Sequence, residues 1–305
     1  DGKALLIGFV NDSSNSNDFG VARFDISTTP VLDTTYDGDG KATFDFGAGT
    51  SDLPHAAHIN SSDEIVITGS TIPSGGTKTD MAALKIDNTG ALVTDFGSSG
   101  KLIVDIDGDG SATTNASVAM SIAADSTGNL YFGVDKGLSN VDNVIYKTDA
   151  LGAPITAYGT SAEVSFDHNS SANNIYDLQI DSSDRAVMLS TTVTNVEEDV
   201  LVARFTTAGV LDTSFSADGF NTLDPTYSVD TMGELIELTV APHTGKFAAV
   251  GTAGAGNGSK LIVCRYNADG TVDETFGING YYLHTGVEAT ITGTDIIEQS
   301  DGKLV

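Results

Sequence analysis

Leu201-Val202-Ala203-Arg204-Phe205, then Leu211-Asp212-Thr213-Ser214-Phe215, then Gly219: an apolar strand runs into a base, a turn follows, an aromatic closes it, and a glycine comes four residues later. The phrase occurs five times. Its basic positions are Arg23, Lys85, Lys147, Arg204 and Arg265, separated by 62, 62, 57 and 61 residues. The aromatics Tyr36, Phe96, Tyr158, Phe215 and Phe276 follow at spacings of 60, 62, 57 and 61. Gly40, Gly100, Gly219 and Gly280 complete the phrase, with Ala162 standing in the third copy. A further column supplies hairpin tips: Asp1-Gly2-Lys3, Ser62-Asp63-Glu64, Ser126 to Asn129, Ser183-Asp184-Arg185, Thr244-Gly245-Lys246 and Asp301-Gly302-Lys303. Three columns in step over five periods are the mark of a repeat architecture.

Within one period the pattern predicts four strands. In the second copy these are His55 to Ile59, Glu64 to Gly69, Met81 to Ile86, and the Ala91 to Asp105 region split by a turn at Gly97 to Gly100. Each is short, rich in β-branched residues or alternating, and bounded by Gly, Asn, Asp or Ser. Asp-Gly and Asn-Thr-Gly turns supply the positive φ that tight hairpins need. No segment carries a 3.6-residue apolar period. The expectation is an all-β fold, a β-propeller of four-stranded blades. Its units are 1–60, 61–125, 126–181, 182–242 and 243–299, with a partial unit at 300–305. One blade cannot bury both faces, so its neighbours must cover them. The bases are expected along a blade face, stems packed and heads in solvent beside nearby Asp. Asp1-Gly2-Lys3 and Asp301-Gly302-Lys303 hold the same motif position. Closure of five blades would make 301–305 redundant with 1–5, so a piece of a larger propeller or tandem array is the favoured expectation, with five-blade closure as the alternative.

Val21 to Gly40, Leu201 to Gly219 and Leu261 to Gly280 carry the pattern ARF…LDTSF…G…SDGK most fully, and in this the chain resembles the delta-60 repeat family. The third copy departs from it at Pro154 and Ala162, and the second has Leu92-Val93 where the pattern has Leu-Asp. The resemblance covers essentially the whole chain. It implies a propeller-like fold in large secreted or surface bacterial proteins. It implies no established activity, and brings no catalytic residues with it.

Charge narrows the function classes. The 305 residues hold 14 Lys and Arg against 42 Asp and Glu, a formal net charge of −28. Such a surface repels nucleic acid and anionic membrane, which argues against both as partners. It also repels itself unless salt or bound cations screen it, which fits a marine or high-salt setting outside the cell. The alternative is that the acids serve solubility alone. Cys264 is the only cysteine and sits in the apolar run Leu261 to Cys264, where it reads as a small buried hydrophobe. No apolar run approaches a membrane span and no signal peptide is visible, so any export signal lies upstream or has been removed.

Candidate chemistry is sparse. Asp105-Ile106-Asp107-Gly108-Asp109-Gly110 matches the first half of a calcium loop, with carboxylates at alternate positions and a glycine for the sharp turn. The second half is missing, since Ala116 stands where a bidentate Glu would close the cage. The segment reads either as a shortened Ca²⁺ loop completed by other oxygens or as a plain acidic turn. Asp37 and Asp39 form a weaker pair of the same kind. His55 and His58 stand three apart, which on a regular strand sends them to opposite faces. His168, His243 and His284 have no histidine or cysteine partner nearby in sequence. There is no nucleophile elbow, no phosphate loop and no His-Glu-x-x-His. The expectation is an extracellular non-enzymatic module: an adhesin, surface scaffold or polymer-forming component, cation-stabilised, meeting protein, glycan or its own copies. The alternative is a secreted propeller enzyme acting on polysaccharide, a lyase or glycosidase. The absence of Trp removes the commonest sugar platform, although nine Tyr remain.

Overall fold

The computed structural model describes residues 2–11, 16–47, 51–73, 75–106, 108, 116–137, 142–169, 173–194, 197–225, 229–254, 259–284 and 291–305. Among these there is no helix, and the strands form five separate antiparallel sheets of four. The first holds β1 (Lys3–Asn11), β2 (Asn17–Asp25), β3 (Val31–Leu32) and β4 (Lys41–Phe44). The second holds β5 (Asp52–Ile59), β6 (Ile65–Thr71), β7 (Asp80–Ile86) and β8 (Lys101–Val104). The third holds β9 (Ser117–Ala124), β10 (Leu130–Lys136), β11 (Asp142–Thr148) and β12 (Glu163–Phe166). The fourth holds β13 (Ile175–Ile180), β14 (Ala186–Thr194), β15 (Glu197–Phe205) and β16 (Phe220–Leu223). The fifth holds β17 (Val229–Glu237), β18 (Phe247–Ala253), β19 (Lys260–Tyr266) and β20 (Tyr281–Leu283). The chain is an all-β propeller built of four-stranded blades.

The blades are offset from the repeat units by one strand. β5 ends before residue 60 yet pairs with β6, so each of the last four sheets opens on a strand from the tail of the preceding unit. In the first sheet β1, β2 and β4 are the counterparts of β6, β7 and β8, and short β3 answers to the single bridge Ile86↔Leu92. Residues 291–305 supply one more inner segment. It turns back on itself through the Glu298↔Leu304 bridge, and Ile296 packs with Leu238, Ala248 and Val250 of the fifth sheet.

The core lies between blades. Leu6 on the first sheet is 66% exposed, whereas its counterparts Ile67, Phe132, Met188 and Ala249 are fully buried against the preceding sheet. An apolar residue at this place is covered where a preceding blade packs on it, which is the stacking logic of a repeat fold.

The Leu-Asp-Thr-Ser-Phe phrase builds the joint. Asp212 Oδ1 accepts from the Ser214 amide at 3.1 Å and its hydroxyl at 2.6 Å, closing a local turn. That turn throws Phe215 outward against the next blade. Tyr36, Phe96, Tyr158 and Phe215 are at most 1% exposed. Beneath the rings of Tyr36, Phe96 and Phe215 lie Gly90, Gly152 and Gly270 of the following blade's turn, all at positive φ. A main-chain bond accompanies each plug: Asp37 N to Thr89 O, Gly97 N to Leu151 O, Gly159 N to Ala208 O and Ser216 N to Asp269 O, at 2.6–2.9 Å.

The basic column corrects an expectation. Its heads are not in solvent: Lys85, Lys147, Arg204 and Arg265 are 3–8% exposed. Arg23, Arg204 and Arg265 pair with Asp33, Asp212 and Asp273 at 2.7–2.9 Å. Their guanidinium groups lie 4.5–4.7 Å from the centres of the Tyr36, Phe215 and Phe276 rings. The next blade's turn roofs the site, and Arg204 Nη1 reaches across to the Ala268 carbonyl at 2.9 Å. A planar guanidinium can bridge, stack and donate at once, which a solvated head could not.

Candidate functional site

The inner strands β5, β9, β13 and β17, with residues 294–295, surround a cleft of about 580 Å³. Each inner strand carries a bulge. The pairing register skips His55 in β5, Met120 in β9, Tyr176 in β13, and Gly233-Glu234 in β17. An extra residue re-aims the side chains around it. As a result His55 and His58 both line the cleft rather than facing opposite ways. The residue opposite the bulge must be small: a Cβ on Gly69 would stand 1.9 Å from the Leu53 carbonyl oxygen.

Beside the bulges runs a column that turns acidic along the array: Ala56, Ser121, Asp177, Glu234, Asp295. Asp177 Oδ2 accepts from the Leu235 amide at 2.9 Å, and Glu234 Oε2 from the Ile296 amide at 2.9 Å. Each carboxylate therefore ties its blade to the next. Burial pushes the Asp177 carboxyl above the usual carboxylate range. Glu234 is raised to about 7, by burial first and then by its hydrogen bond with Asp295. Desolvation lowers the pKa of His55 and of His58, so both are neutral at pH 7. The cleft thus gathers neutral imidazoles, the Tyr176 phenol and a carboxyl able to hold a proton near neutrality. Among the described residues, no Lys or Arg lines it.

Of the residues singled out for calcium, Asp105, Asp37 and Asp39 are described. Asp105 is exposed and its Oδ1 accepts from the Gly108 amide at 2.8 Å. Asp107 and Asp109 lie outside the described residues. Asp37 has φ +46° and its amide serves the joint to Thr89. Asp39 Oδ1 accepts from the Lys41 amide at 2.9 Å. Among the described residues, the acids whose ligand oxygens all lie within 4.8 Å of one another are Asp18, Asp45 and Asp52. Asp18 and Asp52 are buried and Asp45 is exposed. Sequence reading missed this group because its members come from three separate segments.

Comparisons with known proteins agree with the fold. A family described as a domain of unknown function (DUF5122) beta-propeller matches residues 244–276. No curated protein matches the sequence. Two solved structures of a polysaccharide lyase, PL25 ulvan lyase, one of them bound to -[GlcA(1-4)Rha3S]-, superpose with TM-scores of 0.52 and 0.51. Identity is 10% and 9%, over 97% of this chain and 69% of the other in both cases. At that identity the likeness concerns the backbone plan. Residues 244–276 are similar in sequence to a beta-propeller family, and the chain as a whole is similar in backbone plan to the two lyase structures.

Proposed function

We propose that this chain is an extracellular, non-enzymatic binding or structural module, serving as an adhesin, surface scaffold or polymer-forming component. The observation that carries the reading is where the charged residues go. The repeated bases are spent on ion pairs at the blade joints, and the cleft acids Asp177 and Glu234 hold the next blade's amides. The described lining of the cleft holds no Lys or Arg, so it offers an anionic sugar chain no permanent cationic partner. The partners are an extracellular protein, a glycan or further copies, with nucleic acid and anionic membrane repelled. The setting is a bacterial surface or secretion, in marine or other high-salt water. A panel of neutral and uronate-containing polysaccharides tests this, read by ultraviolet absorbance of unsaturated products and by new reducing ends. No turnover is expected; turnover that Glu234→Gln or Tyr176→Phe abolishes would sink the reading.

A second reading rests on one observation: His55, His58, Tyr176 and Glu234 converge in a single cleft of a fold that resembles a polysaccharide lyase. In that reading Glu234, near pKa 7, is the proton donor and an imidazole the base. The same panel decides between the two.

A further inference from the structure

We propose that hard divalent cations of the calcium class bind in the joints between successive blades, held by an acidic triad that recurs along the chain. The first triad joins Asp18 at the head of β2, Asp45 just after β4, and Asp52 at the head of β5 in the next blade. Counting the repeat from each gives the others. Asp18, Asp80, Asp142 and Asp199 stand five residues before the bases of the basic column. Asp45, Asp105, Asp167 and Asp224 stand nine residues after the aromatics. Asp52, Ser117, Asn173 and Asp230 stand eight residues before the turn that opens at Asn60, Asp125, Asp181 and Leu238. Four joints therefore carry residues with hard oxygen atoms at the same three sequence positions.

The positions are equivalent in space as well as in count. The Ser117 amide donates to the Thr79 carbonyl, beside Asp80, at 2.8 Å, and the Ile291 amide donates to the Ser259 carbonyl, beside Lys260, at 3.2 Å. Column three thus meets column one across the second and fifth joints, as Asp52 meets Asp18 in the first.

Orphaned oxygens in two joints point to a missing electrophile. Ser117 is fully buried, and its Oγ has no hydrogen-bond partner. In the third joint Asp142 Oδ1 is buried without a partner. Buried oxygens with nothing to accept from are costly, and a cation supplies the missing charge to several at once. In the first joint Lys101 Nζ donates to the main-chain carbonyl of Asp45. The fifth joint breaks the pattern: Lys260 replaces the first aspartate, and Thr285 and Ile291 the other two. A base at the first position with no acid at the others is what a joint without a metal would carry.

The test uses the whole protein and Ca²⁺ itself. Isothermal titration and thermal melting are run after chelation, at fixed ionic strength in NaCl, so that screening of the net charge is held constant. Saturable binding and a rise in Tm of several degrees are expected. Asp45→Asn, on an exposed residue whose turn an asparagine keeps, should weaken one class of site by ~10-fold or more. Ser117→Asp, adding a third carboxylate to the second joint, should tighten another. Absence of saturable binding would overturn the proposal. So would binding that Asp45→Asn and Ser117→Asp leave unchanged while Asp107→Asn and Asp109→Asn remove it, since that places the ion in the 105–110 loop alone.

Discussion

Gly270 offers the sharpest test of the joint. It sits at φ +82°, and a Cβ there would stand 2.5 Å from Cδ1 and Cγ of Phe215. Gly270→Ala therefore combines two costs: an L-residue in the left-handed region, about 1–2 kcal/mol, and displacement of a fully buried ring, about 1–3 kcal/mol. Gly38→Ala separates them. Gly38 has φ +83° and nothing within 4 Å of the would-be Cβ, so it carries the conformational cost alone. The expected losses are about 2–5 kcal/mol for Gly270→Ala and about 1–2 kcal/mol for Gly38→Ala, by urea denaturation followed by circular dichroism. A repeat array opens locally, so a local probe is the better judge. The Ser216 amide is bonded to the Asp269 carbonyl across the same joint at 2.6 Å. Its hydrogen exchange should accelerate strongly in Gly270→Ala and remain as in the parent in Gly38→Ala. Equal losses for the two variants, with Ser216 protection intact in both, would refute the claim that the glycine is there to seat the ring.

The other expectations concern the same joints. Phe215→Ala should cost about 3–5 kcal/mol, whereas Phe276→Ala, on a ring that is only half-buried, should cost less than half as much in the same denaturation series. Asp212→Ala leaves Arg204, 3% exposed, without its carboxylate and should cost about 3–5 kcal/mol; a loss under 1 kcal/mol would mean that stacking on Phe215 alone holds the base. Stability should peak in mild acid, near pH 5. Asp135 and Glu234 are raised to about 7, so the native state holds protons that the unfolded chain releases, and stability falls as pH rises from ~4.5 through 7. Asp25 and Asp125 are lowered to about 2 and Asp33 and Asp273 are lowered further, and the stability these provide is lost as pH falls below ~4. Melting temperatures from pH 3 to 9 check both limbs, and Glu234→Gln should flatten the alkaline one.

What could be read from the sequence was whatever one residue type alone can satisfy. A glycine at positive φ, an aspartate that closes a turn, and an aromatic that plugs a neighbour leave columns, and the columns gave the blade. What could not be read depends on a second segment. The bulges at His55, Met120 and Tyr176 are invisible in composition, yet they alone bring His55 and His58 to one wall. The bases looked solvated because the roof over them, the next blade's turn, lies about sixty residues away. Asp18 and its counterparts keep the spacing of the bases over four of the five periods, but in a chain with 42 acids a column of aspartates has little contrast.

The joint, rather than any ligand, explains the variation between repeats. Where the phrase reads Leu-Asp or Val-Asp, the base is Arg and the hairpin tip adds a second base: Lys3 with Asp33, Arg185 with Asp212, Lys246 with Asp273. Where that aspartate is replaced by Val93 or Ile155, the base is Lys, and the acid comes from the tip side instead: Glu64 for Lys85 at 2.7 Å and Asp125 for Lys147 at 3.2 Å. Charge changes place while the pairing is kept, which is what a buried site demands and a binding surface does not. The same economy accounts for the acidity. At least 10 of the 14 bases stand in ion pairs. Few bases are left to answer the remaining carboxylates, so screening salt must meet much of their charge on the surface, and the cations proposed for the joints would meet it where the oxygens are buried.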